Sequence, residues 1–319
     1  MPHPSKWQQL PTEAINPASL GIDKLPSAEI IDVMLGEDRK MLAAVARERE
    51  RIALAVDIIT QALRKGGRLV FIGAGTSGRL GVLEAAEIPP TFGMSSDQVL
   101  GLMAGGKSSV FRSREGAEDR YEDGVRAVKR LKPGKKDVFV GVSASGMTQF
   151  VRGGLAAGRN AGARIIFVTC DPATELQSFV DLTIALGVGP EVIAGSTRLK
   201  AGTATKLVLN MLTTASMVRF GKTYGNLMVD VQSTSEKLKD RARRIVIIVT
   251  GLDYAGADTM LRRAKWNVKA AIVMQKTGLP LAKSLTRLRK ADGVMRDALG
   301  EDIESRLREL LGPAAAPKD

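Results

Sequence analysis

Short apolar runs alternate with longer amphipathic segments through the middle of the chain. Five runs rich in Val, Ile, Leu and Phe have the length and the Gly or Asp boundaries of buried strands. They lie at residues 67–73, 97–106, 137–146, 163–171 and 181–189. Between and after them, helical patterns occupy residues 77–88, 113–131, 148–162 and about 202–220. Strands that alternate with helices predict an open, doubly wound α/β fold with a parallel sheet.

Helical segments also flank the predicted sheet. Residues 1–26 are rich in proline and predict an irregular arm, whereas residues 27–65 predict one or two long helices with Ser27 as a candidate cap. We expect the sheet domain to cover residues 27–235 and a small all-helical region to cover residues 236–311. Residues 312–319 predict a frayed tail.

Composition excludes several classes of protein. No segment of the 319 residues is long and apolar enough to span a membrane, and the N-terminus lacks the apolar core of a signal peptide. We therefore expect a cytoplasmic protein. Cys170 is the single cysteine and His3 the single histidine, which argues against a disulfide, a metal cluster and a Ser-His-Asp triad. The acids and bases of an enzyme of this composition would be carboxylates.

The net charge of +13 raises the question of a nucleic-acid partner. The basic excess is strongest after about residue 238, in helical segments where Lys and Arg fit a solvated face. Aromatic residues make up 4% of the chain and do not interleave with the basic runs, which weakens a stacking surface for single strands. We expect neither a nucleic-acid nor a membrane partner.

Two strand-to-helix turns are rich in glycine and hydroxyls. The first, GAGTSG, runs from Gly73 to Gly78, and the second, SASGMT, runs from Ser143 to Thr148. Both fit phosphate, because such turns present backbone N–H groups and the positive end of a helix dipole. The spacing G-x-G-x-x-G also fits a dinucleotide, but the second strand lacks the expected acidic residue at its end.

A third loop, EVIAGSTRLKAGT, precedes the helix predicted at about residue 202. It contains an acid, hydroxyls and two cations. Either a helix cap with exposed cations or a second anion site fits this composition.

Two carboxylates stand at predicted helix ends. Glu87 precedes Pro89-Pro90, where we expect the helix to stop, and the negative end of a helix dipole suits a general acid. Glu118 falls in the first turns of the helix predicted at 113–131, where the dipole suits a base. A solvated acidic face is the alternative interpretation of Glu118.

Longer strings carry a specific resemblance. The two hydroxyl-rich turns are similar to the sugar-phosphate loops of sugar isomerase (SIS) domains. The strings GAGTSGRLGVLEAAEIPPTFG, REGAED, EVIAGSTRLKAGTATKLVLNML and GKTYGNLMVDVQ resemble the N-acetylmuramic acid 6-phosphate etherases. The resemblance covers about residues 12–250.

The resemblance implies a reaction. That family cleaves the lactyl ether of N-acetylmuramic acid 6-phosphate to D-lactate and N-acetylglucosamine 6-phosphate during cell-wall recycling, without a metal or redox cofactor. Elimination precedes hydration. By resemblance, Glu118 is the candidate base at carbon 2, and Glu87 protonates the departing lactate and later deprotonates water.

The resemblance also implies the binding residues and the assembly. Phosphate would contact the two turns, and the third loop would complete the site, with a homodimer that shares the site between subunits. The residues concerned are Gly75, Thr76, Ser77, Ser143, Ser145, Thr148, Ser196, Arg198 and Lys200.

Some positions depart from the family. Met147 and Gln149 stand where the family usually has Arg and Pro, and Ile15 stands where it often has Arg. If the family's Arg helps to neutralise phosphate or lactate, its absence at 147 would either weaken substrate binding or favour a different acyl or sugar group. Three other functions remain as alternatives: a non-catalytic sugar-phosphate regulator of the glucokinase-regulator type, a transcription regulator and an aldose–ketose isomerase.

Overall fold

The computed structural model describes Trp7 and residues 10–312. His3 and most of the predicted tail at 312–319 lie outside the described residues.

The sheet has five parallel strands in the order β2-β1-β3-β4-β5. Every strand falls within a predicted apolar run. β1, β3 and nearly all of β4 are buried on both faces, which is why they read as continuous apolar sequence. The strands are β1 (Leu69–Gly73), β2 (Val99–Met103), β3 (Val138–Val142), β4 (Arg164–Thr169) and β5 (Leu182–Ala185).

Seven α-helices precede, connect or follow the strands of the sheet within the described residues up to 219. The predicted doubly wound α/β class is confirmed. The segment at 27–65 forms two helices, and Ser27 is the first helical residue, with Pro26 in the cap position and no side-chain cap bond. The helices are α1 (Ser27–Arg47), α2 (Arg49–Arg64), α3 (Gly75–Phe92), α4 (Ser108–Phe111), α5 (Tyr121–Arg130), α6 (Gln149–Asn160) and α7 (Lys200–Arg219).

One face of the sheet is covered by α5 and α6. Val70 and Ile72 of β1 and Phe139 of β3 pack with Phe150 and Leu155 of α6 in one buried cluster. Burial of such aliphatic and aromatic side chains is the main stabilising term of this layer. The cluster fixes the start of α6 against the ends of the central strands.

The described part of the arm before α1 has no long helix or strand and is packed against the rest of the unit. It makes three short 3-10 turns at Pro11–Glu13, Pro17–Ser19 and Ile22–Lys24. Leu10, Thr12 and Asn16 are buried. The arm therefore belongs to the packed structure of the sheet unit.

The chain forms two compact units. The first contains the chain up to Ala86 together with Ser96–Ser216, and the second contains Glu87–Ser95 and the chain from Met217 onward. The packing groups residues 217–235 with the C-terminal helices, whereas the sequence predicts a boundary at 235. Tyr224, Val229 and Val231 belong to the apolar core of the second unit, which explains this grouping.

The second unit is helical after residue 235. Among its described residues, three helices begin with side-chain caps: Ser235 accepts the Leu238 N–H, Asp253 accepts the Gly256 N–H and Asn267 accepts the Ala270 N–H. The helices are α8 (Glu236–Thr250), α9 (Tyr254–Arg263), α10 (Val268–Thr277), α11 (Leu281–Lys290), α12 (Met295–Leu299) and α13 (Glu304–Leu311). None of the helices in the described part of the chain is long and apolar enough to cross a membrane.

Candidate active site

The two hydroxyl-rich turns meet at one point of the sheet. The register pairs Gly73, the last residue of β1, with Val142, the last residue of β3. β1 and β3 are also the strands between which the strand order reverses. Ligands of open parallel sheets bind outside the carboxyl ends of the strands at such a reversal.

The first turn is closed by two glycines. A Cβ on Gly73 would lie 2.6 Å from the backbone nitrogen of Gly78, and one on Gly78 would lie 2.6 Å from the Gly73 carbonyl oxygen. Side chains at either position would push strand and helix apart. The close contact lets α3 begin at Gly75, so that its first N–H groups face outward at the sheet edge.

The second turn is held by its own hydroxyls. The Ser143 and Thr148 hydroxyl oxygens lie 2.8 Å apart in a hydrogen bond, and the Met147 N–H donates to Ser145 Oγ at 3.3 Å. Gly146 has φ +72°, a left-handed conformation that favours glycine. Thr148 is the residue before α6, so this turn presents a second helix N-terminus.

A cavity of about 280 Å³ lies between these turns. It brings together the predicted residues of both turns with Glu118 and Asp119. None of the residues that line it, all within the described part of the chain, is Lys or Arg. We call it the hydroxyl pocket; its predicted members are Gly75, Thr76, Ser77, Glu118, Ser143, Ser145 and Thr148.

The N-terminal arm contributes to the same cavity. Trp7 and Glu13 line it together with Gly195 and Thr197 of the third loop. The Gly195 N–H donates to the Thr12 carbonyl oxygen at 3.0 Å, which ties the arm to the loop. The sequence analysis does not identify Glu13 as a pocket residue, because no local motif marks it.

Lys200 does not line the hydroxyl pocket. Its ammonium donates to Glu37 of α1 at 2.6 Å, and the two side chains are 2% and 4% exposed. Asn16 also donates to Glu37, and Lys40 forms an ion pair with it. Burial would raise the pKa of Glu37, but the hydrogen bonds from Lys200, Lys40 and Asn16 outweigh it and lower the pKa to about 2.

The N-terminus of α7 is capped by a side chain nine positions earlier in the sequence. Glu191, which is fully buried, accepts the backbone N–H groups of Lys200 at 3.0 Å and Ala201 at 2.8 Å. Burial raises the pKa of this carboxyl, and the two backbone hydrogen bonds act against that rise. The third loop is therefore built as a helix cap. Ser196 and Arg198 do not line the hydroxyl pocket, and Arg198 is exposed.

Glu118 lies in a turn and not in a helix. The predicted helix at 113–131 begins only at Tyr121, because Gly116 has φ +70° and interrupts helical geometry. The Glu118 carbonyl oxygen accepts the Phe150 N–H at 2.9 Å, which anchors the turn to α6. The carboxylate is exposed at the pocket, and the helix-dipole argument made for it from the sequence does not apply.

Glu87 lies inside α3. The prediction that Pro89-Pro90 ends this helix is wrong: the helix continues to Phe92 and ends at Gly93, which has φ +64°. Neither proline can donate the backbone hydrogen bond to the residue four positions earlier, so this last turn of the helix lacks two of its usual hydrogen bonds. Glu87 is exposed, and it falls in the short stretch assigned to the second unit. The helix-end argument for an acid does not apply to it.

A family model described as the glucokinase regulatory protein N-terminal SIS domain matches residues 51–159. A putative phosphosugar isomerase from Bacteroides fragilis, a solved structure, has 21% identity and a TM-score of 0.49, covering 68% of this chain and 97% of that one.

Two curated relatives are much more similar. The N-acetylmuramic acid 6-phosphate etherase of Salinibacter ruber is 49% identical over 296 residues, or 92% of this chain and 95% of that protein. The enzyme of the same name from Microcystis aeruginosa is 48% identical over 297 residues, or 92% of this chain and 97% of that protein. This chain belongs to the N-acetylmuramic acid 6-phosphate etherase family.

Proposed function

We propose that this protein cleaves the lactyl ether of N-acetylmuramic acid 6-phosphate to D-lactate and N-acetylglucosamine 6-phosphate in cell-wall recycling. Family membership over 92% of the chain supports the substrate and the product. The observation that carries the proposal is the hydroxyl pocket, where Glu118 faces the Ser and Thr side chains of both turns. We further propose that the enzyme is a carbon–oxygen lyase, active in the cytoplasm.

The 6-phosphate binds where α3 and α6 begin. Two helix N-termini and the Thr76, Ser145 and Thr148 hydroxyls offer neutral donors to its oxygens. Ser143 holds Thr148 in place through their 2.8 Å hydrogen bond. Because no Lys or Arg is among the described residues that line the pocket, the phosphate oxygens would bind to these neutral donors.

Glu118 is the base in this proposal. Its carboxylate takes the proton from carbon 2 of the open-chain aldehyde, and the electron pair moves toward the carbonyl. The enolate then forms a double bond between carbon 2 and carbon 3, and the lactyl oxygen leaves with the electron pair of the broken bond to carbon 3. Glu87 supplies the proton that lactate needs. Water afterwards adds to carbon 3, Glu87 takes its proton, and carbon 2 regains a proton.

The roles of Glu87 and of a second subunit rest on the resemblance. Glu87 is exposed, so its carboxylate is accessible to a substrate. We propose a homodimer whose site includes residues of both subunits, with Ser196, Arg198 and Lys200 near the bound sugar. Lys200 is the weakest member of that set, because its ammonium is already bound to Glu37.

Turnover in deuterated water tests the reaction. The purified protein is incubated with N-acetylmuramic acid 6-phosphate without added cofactor. We expect D-lactate and a product with deuterium at carbon 2. Glu118→Gln should slow release by about 10²- to 10⁴-fold, and Glu87→Gln should also lose turnover. Glu122→Gln, an exposed glutamate on α5, is the matched control. Lactate release without deuterium at carbon 2 would contradict elimination.

A sugar-phosphate-binding regulator is the second candidate. The match of residues 51–159 to the regulatory protein's SIS domain favours it. Saturable binding of the substrate with no lactate release would select this function.

A further inference from the structure

A second cavity of about 620 Å³ lies at the carboxyl end of β2. The residues after β2, the turn that precedes α5, and α5 itself form its walls. We call it the arginine pocket, since its charged lining residues are Arg114, Glu115, Arg120, Asp123, Arg126 and Arg130. Its volume is within the usual range for small-molecule sites.

The pocket has an excess of positive charge. Its lining contains four guanidinium groups and two carboxylates, which gives a net charge of +2 (four minus two). Asp123 already pairs with Arg126 and lies 3.9 Å from Arg120. Neither Arg114 nor Arg130 forms an ion pair with any residue in the described part of the chain. These two guanidiniums retain fork-like donors, which suit phosphate oxygens.

A buried hydroxyl adds an independent observation. Ser109 is 1% exposed, and its Oγ has no hydrogen-bond partner among the described residues. A Cβ added to Gly105 would lie 2.2 Å from this oxygen and 3.2 Å from Arg114 Cδ. The unpartnered hydroxyl is therefore directly behind the pocket wall, next to an unpaired arginine. Buried hydroxyls without a partner are uncommon and costly.

The pocket adjoins the segment that carries Glu118. Arg114, Glu115 and Ala117 line the arginine pocket, and the next residues, Glu118 and Asp119, line the hydroxyl pocket. Phe150 also lines the arginine pocket, and its N–H holds the Glu118 carbonyl. One short turn thus forms a wall of both cavities.

We propose that the arginine pocket is a second anion site, which binds a small phosphate-bearing molecule, and that its occupation restrains the turn carrying Glu118. The binding part is independent of the proposed function, whereas the effect on turnover rests on it. A small ligand is favoured over a nucleic acid because Phe150, buried at 2% exposure, is the pocket's aromatic lining residue and offers no stacking surface.

Hydrogen–deuterium exchange with inorganic pyrophosphate as the probe separates the two sites. Residues 105–109 report on the arginine pocket alone, and residues 143–149 report on the hydroxyl pocket. We expect saturable protection of residues 105–109 and of residues 112–120. Arg114→Gln with Arg130→Gln should weaken this protection about tenfold or more. Arg39→Gln with Arg47→Gln, two exposed arginines of α1, is the control of equal charge.

Different exchange results would overturn the second anion site or its coupling to Glu118. Protection confined to residues 143–149 would overturn the second site, as would an equal loss in the control pair. Protection of residues 105–109 by a single-stranded oligonucleotide at far lower concentration than by pyrophosphate would also overturn it, in favour of a nucleic-acid surface. The exchange measurement does not depend on turnover. If the protein releases no lactate, the proposed function is wrong, but the exchange data still test the second anion site. Pyrophosphate-dependent protection with unchanged exchange at 112–120 would refute the coupling to Glu118.

Discussion

Replacing Lys200 by Met distinguishes a buried structural cation from one that binds substrate. In the folded chain the Lys200 ammonium lies 2.6 Å from the Glu37 carboxylate, with 2% and 4% of the side chains exposed. Removing one member of a buried pair leaves the other charge uncompensated, at a cost of about 3–5 kcal/mol. Lys40 and Asn16 still contact Glu37, so we expect about 3 kcal/mol at pH 7, the lower end of that range.

The loss of stability caused by Lys200→Met should depend on pH. Without Lys200, the pKa of Glu37 should rise from about 2 toward its ordinary value of 4.5, because burial still raises it and the largest of the hydrogen bonds that lower it is lost. The wild type then loses more stability than the variant as the pH falls from 4.5 toward 2, so the difference in stability between them narrows in that window. Urea titrations at pH 7 and at about pH 3 measure this.

A double variant supplies the control. Glu37→Leu with Lys200→Met removes both charges and should return the free energy of unfolding to within about 1 kcal/mol of the wild type. Asn16 keeps its second hydrogen bond, to the Pro190 carbonyl oxygen at 3.1 Å, and Lys40 is 66% exposed and free to hydrate.

The assay must report on the first unit. Trp7 belongs to that unit and Trp266 to the other, so Trp7 fluorescence in a Trp266→Phe background isolates it. Lactate release is measured in parallel at 25 °C, where we expect KM to change less than about threefold. Unchanged stability together with a KM raised tenfold would refute the structural role and indicate that Lys200 binds the substrate.

Three further predictions concern the hydroxyl pocket and Glu37. Met147→Arg should lower KM for the phosphorylated substrate about three- to tenfold, since it adds a cation to a pocket without one; an unchanged KM would contradict this. Thr148→Val should raise KM about fivefold, because it removes a donor and the bond to Ser143, whereas Thr214→Val on α7 should not. Because the pKa of Glu37 is lowered from 4.5 to about 2, its contribution to stability is complete above pH 4.5 and is lost as the pH falls to 2. Glu37→Gln should flatten acid unfolding in that window, measured by circular dichroism.

The sheet was predictable from the sequence because its strands are buried. A parallel strand covered on both faces reads as an apolar run, and all five runs became strands. The Gly- and Ser-rich turns after β1 and β3 were predictable for the same reason, because strand ends fixed their place. Thr76, Ser77, Ser143, Ser145 and Thr148 therefore meet in one cavity.

Contacts between distant residues were not predictable. Lys200 and Glu37 are separated by 163 positions, and no local pattern links them. Glu13 reaches the pocket only because the arm is tied to Gly195. The interrupted helix before α5 depended on the φ of a single residue, Gly116. Each error came from geometry that the rest of the fold imposes on an ambiguous local sequence.

The absence of cations from the lining of the hydroxyl pocket has a kinetic consequence. Backbone N–H groups and hydroxyls act through dipoles, whose field falls off faster with distance than that of a charge. The lining of the pocket therefore stabilises an anion at contact distance but contributes little long-range electrostatic attraction. Long-range attraction comes instead from the net charge of +13 of the whole chain. Added salt should slow substrate capture while leaving the dissociation rate of the bound sugar phosphate nearly constant.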